Sequence, residues 1–352
     1  MNIAVHQRPG VYSSYDASSV VSGSGAGRLV GIVAVNTKAT AGVAQTVTTY
    51  DQAVTAFGSG GEEDLAEMIR LALRNGASGV VAVPVANAQG YEDAFEQMAG
   101  LENIAVVLCD STEGEVQQAL RDSVEAASQA RRERLAVVAG EADETVSELV
   151  ARAKELNHER VVLVAPGAVD SEGDALSGLT VAAAVAGAIA GESDPAMPLG
   201  GAELYGLNGI AARLEDNDLD LLILGGVTPV ESVGGAVSVV RGVTTRTTTG
   251  GAADATWRDL STIRVVDHVI PGLRSALRSK FRRAKNTAQS RGAIRAQVVL
   301  ELEQRLSQEI ITGYGDVVVT EDPADASRCL VEFSFTVAHG LNQIWLTAHI
   351  TV

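Results

Sequence analysis

Two cysteines, Cys109 and Cys329, are all the thiol this 352-residue chain carries. That excludes a disulfide framework, and neither has a second thiol at metal-ligand spacing, so a reducing cytoplasm is the expected setting. Positive charge is scarce as well. Lys and Arg number 27 against 44 Asp and Glu, a net charge of −17, which argues against a nucleic-acid partner held by an overall basic surface. Long apolar runs are missing. The most apolar window, LSGLTVAAAVAGAIAG at 176–191, is shorter than the ~20 residues of a membrane helix and is built from Ala and Gly. It is expected to be a buried, closely packed helix, with no membrane insertion. The opening MNIAVHQRPG has no basic segment followed by an apolar stretch, so no secretory signal is expected.

The motifs of ligand chemistry are also lacking. GSGAGR at 23–28 has Arg28 where a dinucleotide fingerprint needs its third glycine and has no enclosing strand and helix, and no GxxxxGK segment exists to cradle phosphates. A GxSxG elbow is absent. The five histidines, His6, His158, His268, His339 and His349, are scattered without HExxH spacing or a Cys/His cluster. Cys109-Asp110 closes an apolar run, where catalytic groups often lie, yet no base is positioned beside it, so it reads as a buried thiol at a strand end. His158 reads as a loop residue. No catalytic residue, cofactor or metal is expected.

What the chain does have is rhythm. Apolar, β-rich runs recur at 79–85, 104–110, 134–141, 160–167 and 220–226, each the length of a strand, with helical patterns between them at 62–75, 114–131, 143–157 and 175–191. Strands apolar throughout, alternating with amphipathic helices, predict an α/β middle domain on a mostly parallel sheet covered on both faces. Another strand is expected at 236–245. Then the pattern changes to two helices, at about 263–284 and 289–311, followed only by strands. In RCLVEFSFTVAH, Cys329, Val331, Phe333, Phe335 and Val337 share one face by period-two alternation. Ile344, Leu346, Ala348, Ile350 and Val352 alternate likewise. The last hundred residues are expected to form a separate α+β unit.

Charge is distributed unevenly. Between Arg264 and Arg305 stand ten Lys or Arg and three acids, so the remainder of the chain carries −24. Arg274, Arg278 and Arg282 are spaced by four and fall on one helical stripe, beside an apolar stripe of Ile270, Leu273, Leu277 and Phe281. Two readings stay open: a face solvated or neutralised by acids of the same chain, or a docking surface for an acidic partner.

These segments together resemble the tail sheath proteins of contractile phages and related contractile injection particles. The resemblance begins with RPGVY at 8–12 and RLVGIVAV at 28–35. It continues through TPVESVGGAVSVVRGVTT at 228–245 and WRDLSTIRVVDHV at 257–269. It ends in FRRAKNTAQSRGAIRAQVVLELEQRLSQEIITGYGDVVV at 281–319, with Asn286-Thr287 between paired helices and Gly313 closing the second. It implies a subtilisin-like middle domain without its chemistry, and a division into an N-terminal arm (1–25), a sheath domain (26–262), an assembly domain (263–342) and a C-terminal strand arm (343–352). The arms, with Asn2, Ile3, Ala4, Val5, Ile344, Trp345, Leu346, Ala348, Ile350 and Val352, would add strands to neighbouring copies. They would do so at a sheet holding Val331, Phe333 and Phe335. Residues 22–27 and His339-Gly340 are placed as hinges.

The function implied is a structural subunit that forms stacked sixfold rings around a rigid tail tube and contracts to drive the tube through a target envelope. Arg274, Arg278, Arg282 and Lys285 would face the tube. Baseplate and tail terminator proteins would be further partners, nucleic acid would not, and the particle would assemble in the bacterial host cytoplasm. The alternative is a ligand-binding or enzymatic α/β protein with a C-terminal oligomerisation domain, which would show a pocket at the strand ends.

Overall fold

Residues 29–342 are described by the computed structural model; Asn2 to Val5 and Ile344 to Val352, expected to be shared strands, lie outside them. Among the described residues, one mixed sheet holds nine strands. They are β1 (Leu29–Val35), β2 (Gln45–Val47), β3 (Gly79–Val85), β4 (Ile104–Cys109), β5 (Leu135–Ala139), β6 (Val161–Ala165), β7 (Glu203–Leu204), β8 (Val227–Val233) and β9 (Ala236–Val239). Their order is β2-β3-β1-β4-β5-β6-β8-β9-β7. The run from β3 to β8 is parallel, and β2, β9 and β7 add antiparallel edges. Every residue of β3, β5 and β6 is buried, as expected of strands covered on both faces.

Alternation sorts the side chains to the two faces. Val30, Ile32 and Ala34 of β1 join α1 (Tyr50–Phe57), α2 (Leu65–Arg74) and α6 (Leu179–Gly191) in one core. Val33 faces the other core, under α3 (Tyr91–Gly100), α4 (Gly114–Gln129) and α5 (Val146–Leu156). Local chemistry starts these helices. Thr49 caps α1, Asp64 caps α2, and Thr145 with Glu148 forms a full capping box on α5. Short α1 and α3 fall outside the periodic segments read from the sequence.

One expected strand is a helix. DLLILGG at 220–226 belongs mostly to α7 (Asp216–Leu224), and the strand is β8 immediately after it. The reason is local: Asp216 and Asp218 in the first turn suit a helix N-terminus, and Gly226 at φ +85° breaks the helix before Val227. Leu222 is buried while Leu221 and Leu224 are exposed, which is a helical distribution.

The Ala/Gly window is the buried helix α6, packed on α2. A Cβ on Gly187 would lie 2.3 Å from the Ala72 carbonyl oxygen, and one on Gly191 would lie 2.8 Å from the Gly76 Cα. Alanine favours an α-helix over glycine by about 1 kcal/mol, but here it would force two helix backbones apart, at about 1–3 kcal/mol. Gly187→Ala is therefore expected to lower the urea midpoint, despite its better helix propensity.

After β9 the chain makes a small hairpin, β10 (Thr248–Thr249) and β11 (Ala252–Ala253), and enters the C-terminal unit. This unit comprises α8 (Leu260–Phe281), α9 (Ala288–Ser307), β12 (Ile311–Tyr314), β13 (Val318–Asp322), β14 (Asp325–Glu332) and β15 (Phe335–Val337). Helix α8 spans both cores. Leu260, Ile263 and Val266 pack on the central sheet's core, while Val265, Val269, Ile270 and Leu273 join Val298 and Leu302 in a third core. The expected boundary at 262/263 falls inside this helix.

Candidate assembly interface

Doubly wound sheets bind ligands outside the carboxyl ends of their strands, where the winding direction reverses. Here that place lies between β1 and β4, and the chain fills it with its own groups. Asp110 follows β4; its Oδ2 accepts from the Val35 N–H at 2.8 Å and its Oδ1 from the Tyr91 hydroxyl at 2.6 Å. Its own N–H donates to the Val33 carbonyl. Burial raises the Asp110 carboxyl above its ordinary range, opposed by the hydrogen bonds from Tyr91 and Val35. The Cys109 thiol is pushed up to about 12 by burial, so it stays protonated and is no nucleophile. His158 is half-buried; its Nδ1 accepts from the Arg160 N–H, its backbone N–H donates to Thr245 Oγ1, and burial lowers its pKa. These groups tie loops together.

The C-terminal unit is built differently, as a two-stranded ribbon. Strands β12 and β15 pair antiparallel, as do β13 and β14, and the Gly315 N–H donates to the Ser334 carbonyl between them. The result is one long ribbon bent at Phe333-Ser334. The single strand expected over 328–339 is thereby divided, because its two halves meet different partners. Gly313, expected to close the second helix, sits inside β12 at a register shift. Helix α9 instead ends at Ser307, before Glu309 turns with φ +59°. Among the described residues, neither outer edge of the ribbon pairs with a further strand.

Side chains follow the predicted alternation. Val331, Phe333, Phe335 and Val337 are half-buried against the third core, while Glu332, Ser334 and Thr336 are exposed. The rings of Phe333 and Phe335 stack at 6.3 Å. Val331, Phe333 and Phe335 thus seat the ribbon on its own helices and leave main-chain groups for an edge contact. The turn between the helices holds the ribbon. Asn286 Nδ2 donates to the carbonyls of Ala326 and Arg328 at 2.7 and 3.2 Å, and Arg291 Nη1 bridges Asn286 to Glu321. Thr287 caps α9 through the Ser290 N–H. Gly340, where the chain leaves the ribbon, lies so close to Pro198 that a Cβ would approach its side chain to 2.6 Å.

The basic stripe divides. Arg278, Arg282 and Lys285 are exposed, together with Lys280 and Arg283, so five cations crowd the end of α8 and the start of the linker after it. Arg274 departs from the expected set: it is 8% exposed and faces Glu133 of the central domain at 3.6 Å. A helix lying on another body must turn one side inward, and in α8 that side includes Arg274. Beside it, Arg305 passes over Gly272, where a Cβ would lie 2.0 Å from Nη2, and pairs with Glu301 at 2.6 Å. Spacing alone carries no signal for which cation is covered.

Among the described residues, then, the crevice is filled by the chain's own groups, the ribbon's outer edges pair with no further strand, and a cluster of cations is exposed. Residues 85–245 match the phage tail sheath protein central domain, and residues 252–351 the phage tail sheath C-terminal domain. The chain belongs to the phage tail sheath family and is a structural, non-enzymatic protein. The tail sheath protein of Bacillus phage SP01 is 29% identical over 253 residues, 70% of this chain and 43% of that protein; the chain thus spans less than half of that relative's length. The fold is shared with the contracted helical sheath of the anti-feeding prophage, with a TM-score of 0.74, 17% identity and coverage of 98% and 99% of the two chains. It is also shared with a sheath tail protein of Desulfitobacterium hafniense, with a TM-score of 0.69, 13% identity and coverage of 93% and 100%.

Proposed function

We propose that this chain polymerises with copies of itself as stacked sixfold rings around a rigid tube, and that contraction of this polymer drives the tube through a target envelope. The observation that carries the reading is the ribbon β12–β15, folded on its own helices with main-chain edges unpaired among the described residues. Residues 1–25 and 343–352 would supply the missing strands to neighbouring copies, by main-chain hydrogen bonds of about 1 kcal/mol net each. Small per arm, this sum repeats at every subunit and couples each ring to the next.

The exposed Arg278, Arg282 and Lys285 would face an acidic tube, and baseplate and terminator proteins would close the ends. Support for the contractile reading comes from relatives whose sheaths form helical assemblies in a contracted state or accompany a baseplate. The doubly wound sheet with antiparallel edges supports a subtilisin-like architecture for the middle domain, and the particle would assemble in the host cytoplasm. Electron microscopy of the purified full-length chain is the test. Tubes forming without ligand are expected; a discrete oligomer that binds a small molecule at the strand ends would return the ligand-binding alternative.

A further inference from the structure

Two acid–base contacts join α8 to the amino-terminal edge of the sheet, and they differ in quality. Arg160, just before β6, grips Asp267 with both guanidinium nitrogens, at 2.5 and 2.8 Å. Two turns further along α8, Arg274 stops 3.6 Å from Glu133, in the segment leading to β5. The Glu133 side chain is only 5% exposed, and neither of its oxygens has a hydrogen-bond partner. A buried carboxylate without donors is costly unless it is neutralised by a close cation or a proton. The contact lies on the seam where the C-terminal unit meets the central domain.

We propose that Glu133 is a proton-binding switch in this seam: the closed seam holds Glu133 as the neutral acid, and ionisation favours an opening that lets water reach the carboxylate and α8 loosen beyond Leu273. The groups facing it are Asp267 and Arg274 from α8, Arg160 from the start of β6, and Arg134 from its own segment, with Arg131 beside Arg274. Asp267 is engaged by Arg160, and Arg134 by the carbonyls of Met98, Leu101 and Arg132. Burial dominates this balance and lifts the Glu133 carboxyl from 4.5 to about 7, against the pull of Arg274 and Arg160.

The direction of the linkage follows. The closed form binds a proton that the open, solvated form has already released above about pH 4.5, so closure is favoured at low pH and weakens as pH rises from about 4.5 to 7. Two half-buried histidines act in the opposite sense. His158 and His268 both have lowered pKa values from burial, so each favours the folded form increasingly as pH rises through its own range. The sign of the pH dependence therefore separates Glu133 from them.

Hydrogen exchange of residues 274–281 in the full-length chain, corrected for the intrinsic pH dependence of exchange, reads the opening equilibrium directly. In the unaltered protein it should shift toward opening by up to about tenfold per pH unit between pH 5 and 7. Glu133→Gln, which copies the neutral acid, should abolish that shift and keep the segment protected at pH 8. Arg274→Met removes the nearest cation, whose charge holds the Glu133 carboxyl down, so the upper end of the pH-dependent range should move upward in pH. An unchanged slope in Glu133→Gln, or an upper end left in place by Arg274→Met, would overturn the switch. Neither result bears on polymerisation, so the sheath reading stands or falls separately.

Discussion

Deletion of residues 343–352, or of residues 1–12, is expected to abolish long polymers while leaving the fold of the remaining chain intact. The three cores of the described residues are built between Leu29 and Val337. What would be lost is edge pairing on the ribbon, repeated once per subunit, and a polymer whose every link is weakened cannot grow long. Circular dichroism should be unchanged and electron microscopy should show dispersed subunits or short rings. Tubes of normal length from either truncated chain would defeat the arm model.

Replacing Arg278, Arg282 and Lys285 together with Glu is expected to eliminate co-sedimentation with purified tube at low salt. All three side chains are exposed, so the substitution leaves the cores untouched. Each charge-assisted contact that becomes desolvated on docking contributes about 1.5–3 kcal/mol, and reversal converts attraction into repulsion, so a loss of at least about a hundredfold in affinity is expected. Binding by the unaltered sheath should also weaken with salt, since screening acts within about 8–10 Å at physiological ionic strength. Sheath-only tubes should still form. Tube binding that survives the triple reversal at low salt would return these cations to a solvated face. Arg274 is left out because its reversal would place two acids, Glu133 and the new residue, against each other in the seam.

The α/β class and the helix-then-strand order of the C-terminal unit were legible because periodicity is a local property. β3, β4, β5 and β6 fall where apolar runs of strand length lie, and α6 is the buried Ala/Gly helix its composition predicts. Alternation at Val331, Phe333, Phe335 and Val337 likewise marks the face turned to the core. The family resemblance was carried by the order of segments, none of which identifies it alone. Where signals competed at short range, the reading failed: DLLILGG is as apolar as a strand, but acids before it and the glycines after it make it the end of a helix.

Tertiary structure decided what depends on which surfaces meet. Arg274 and Arg278 are one turn apart and chemically identical, yet one is covered by the central domain and the other faces solvent. No property of the helix alone distinguishes them. The filling of the strand-end crevice by Asp110 and Tyr91, the close crossing of α2 and α6 at Gly187, and the unsatisfied Glu133 each join residues at least 19 positions apart. Periodicity records how a segment partitions between water and core, because that preference acts residue by residue. It does not record which buried charge finds a partner, because that is settled only when distant segments pack.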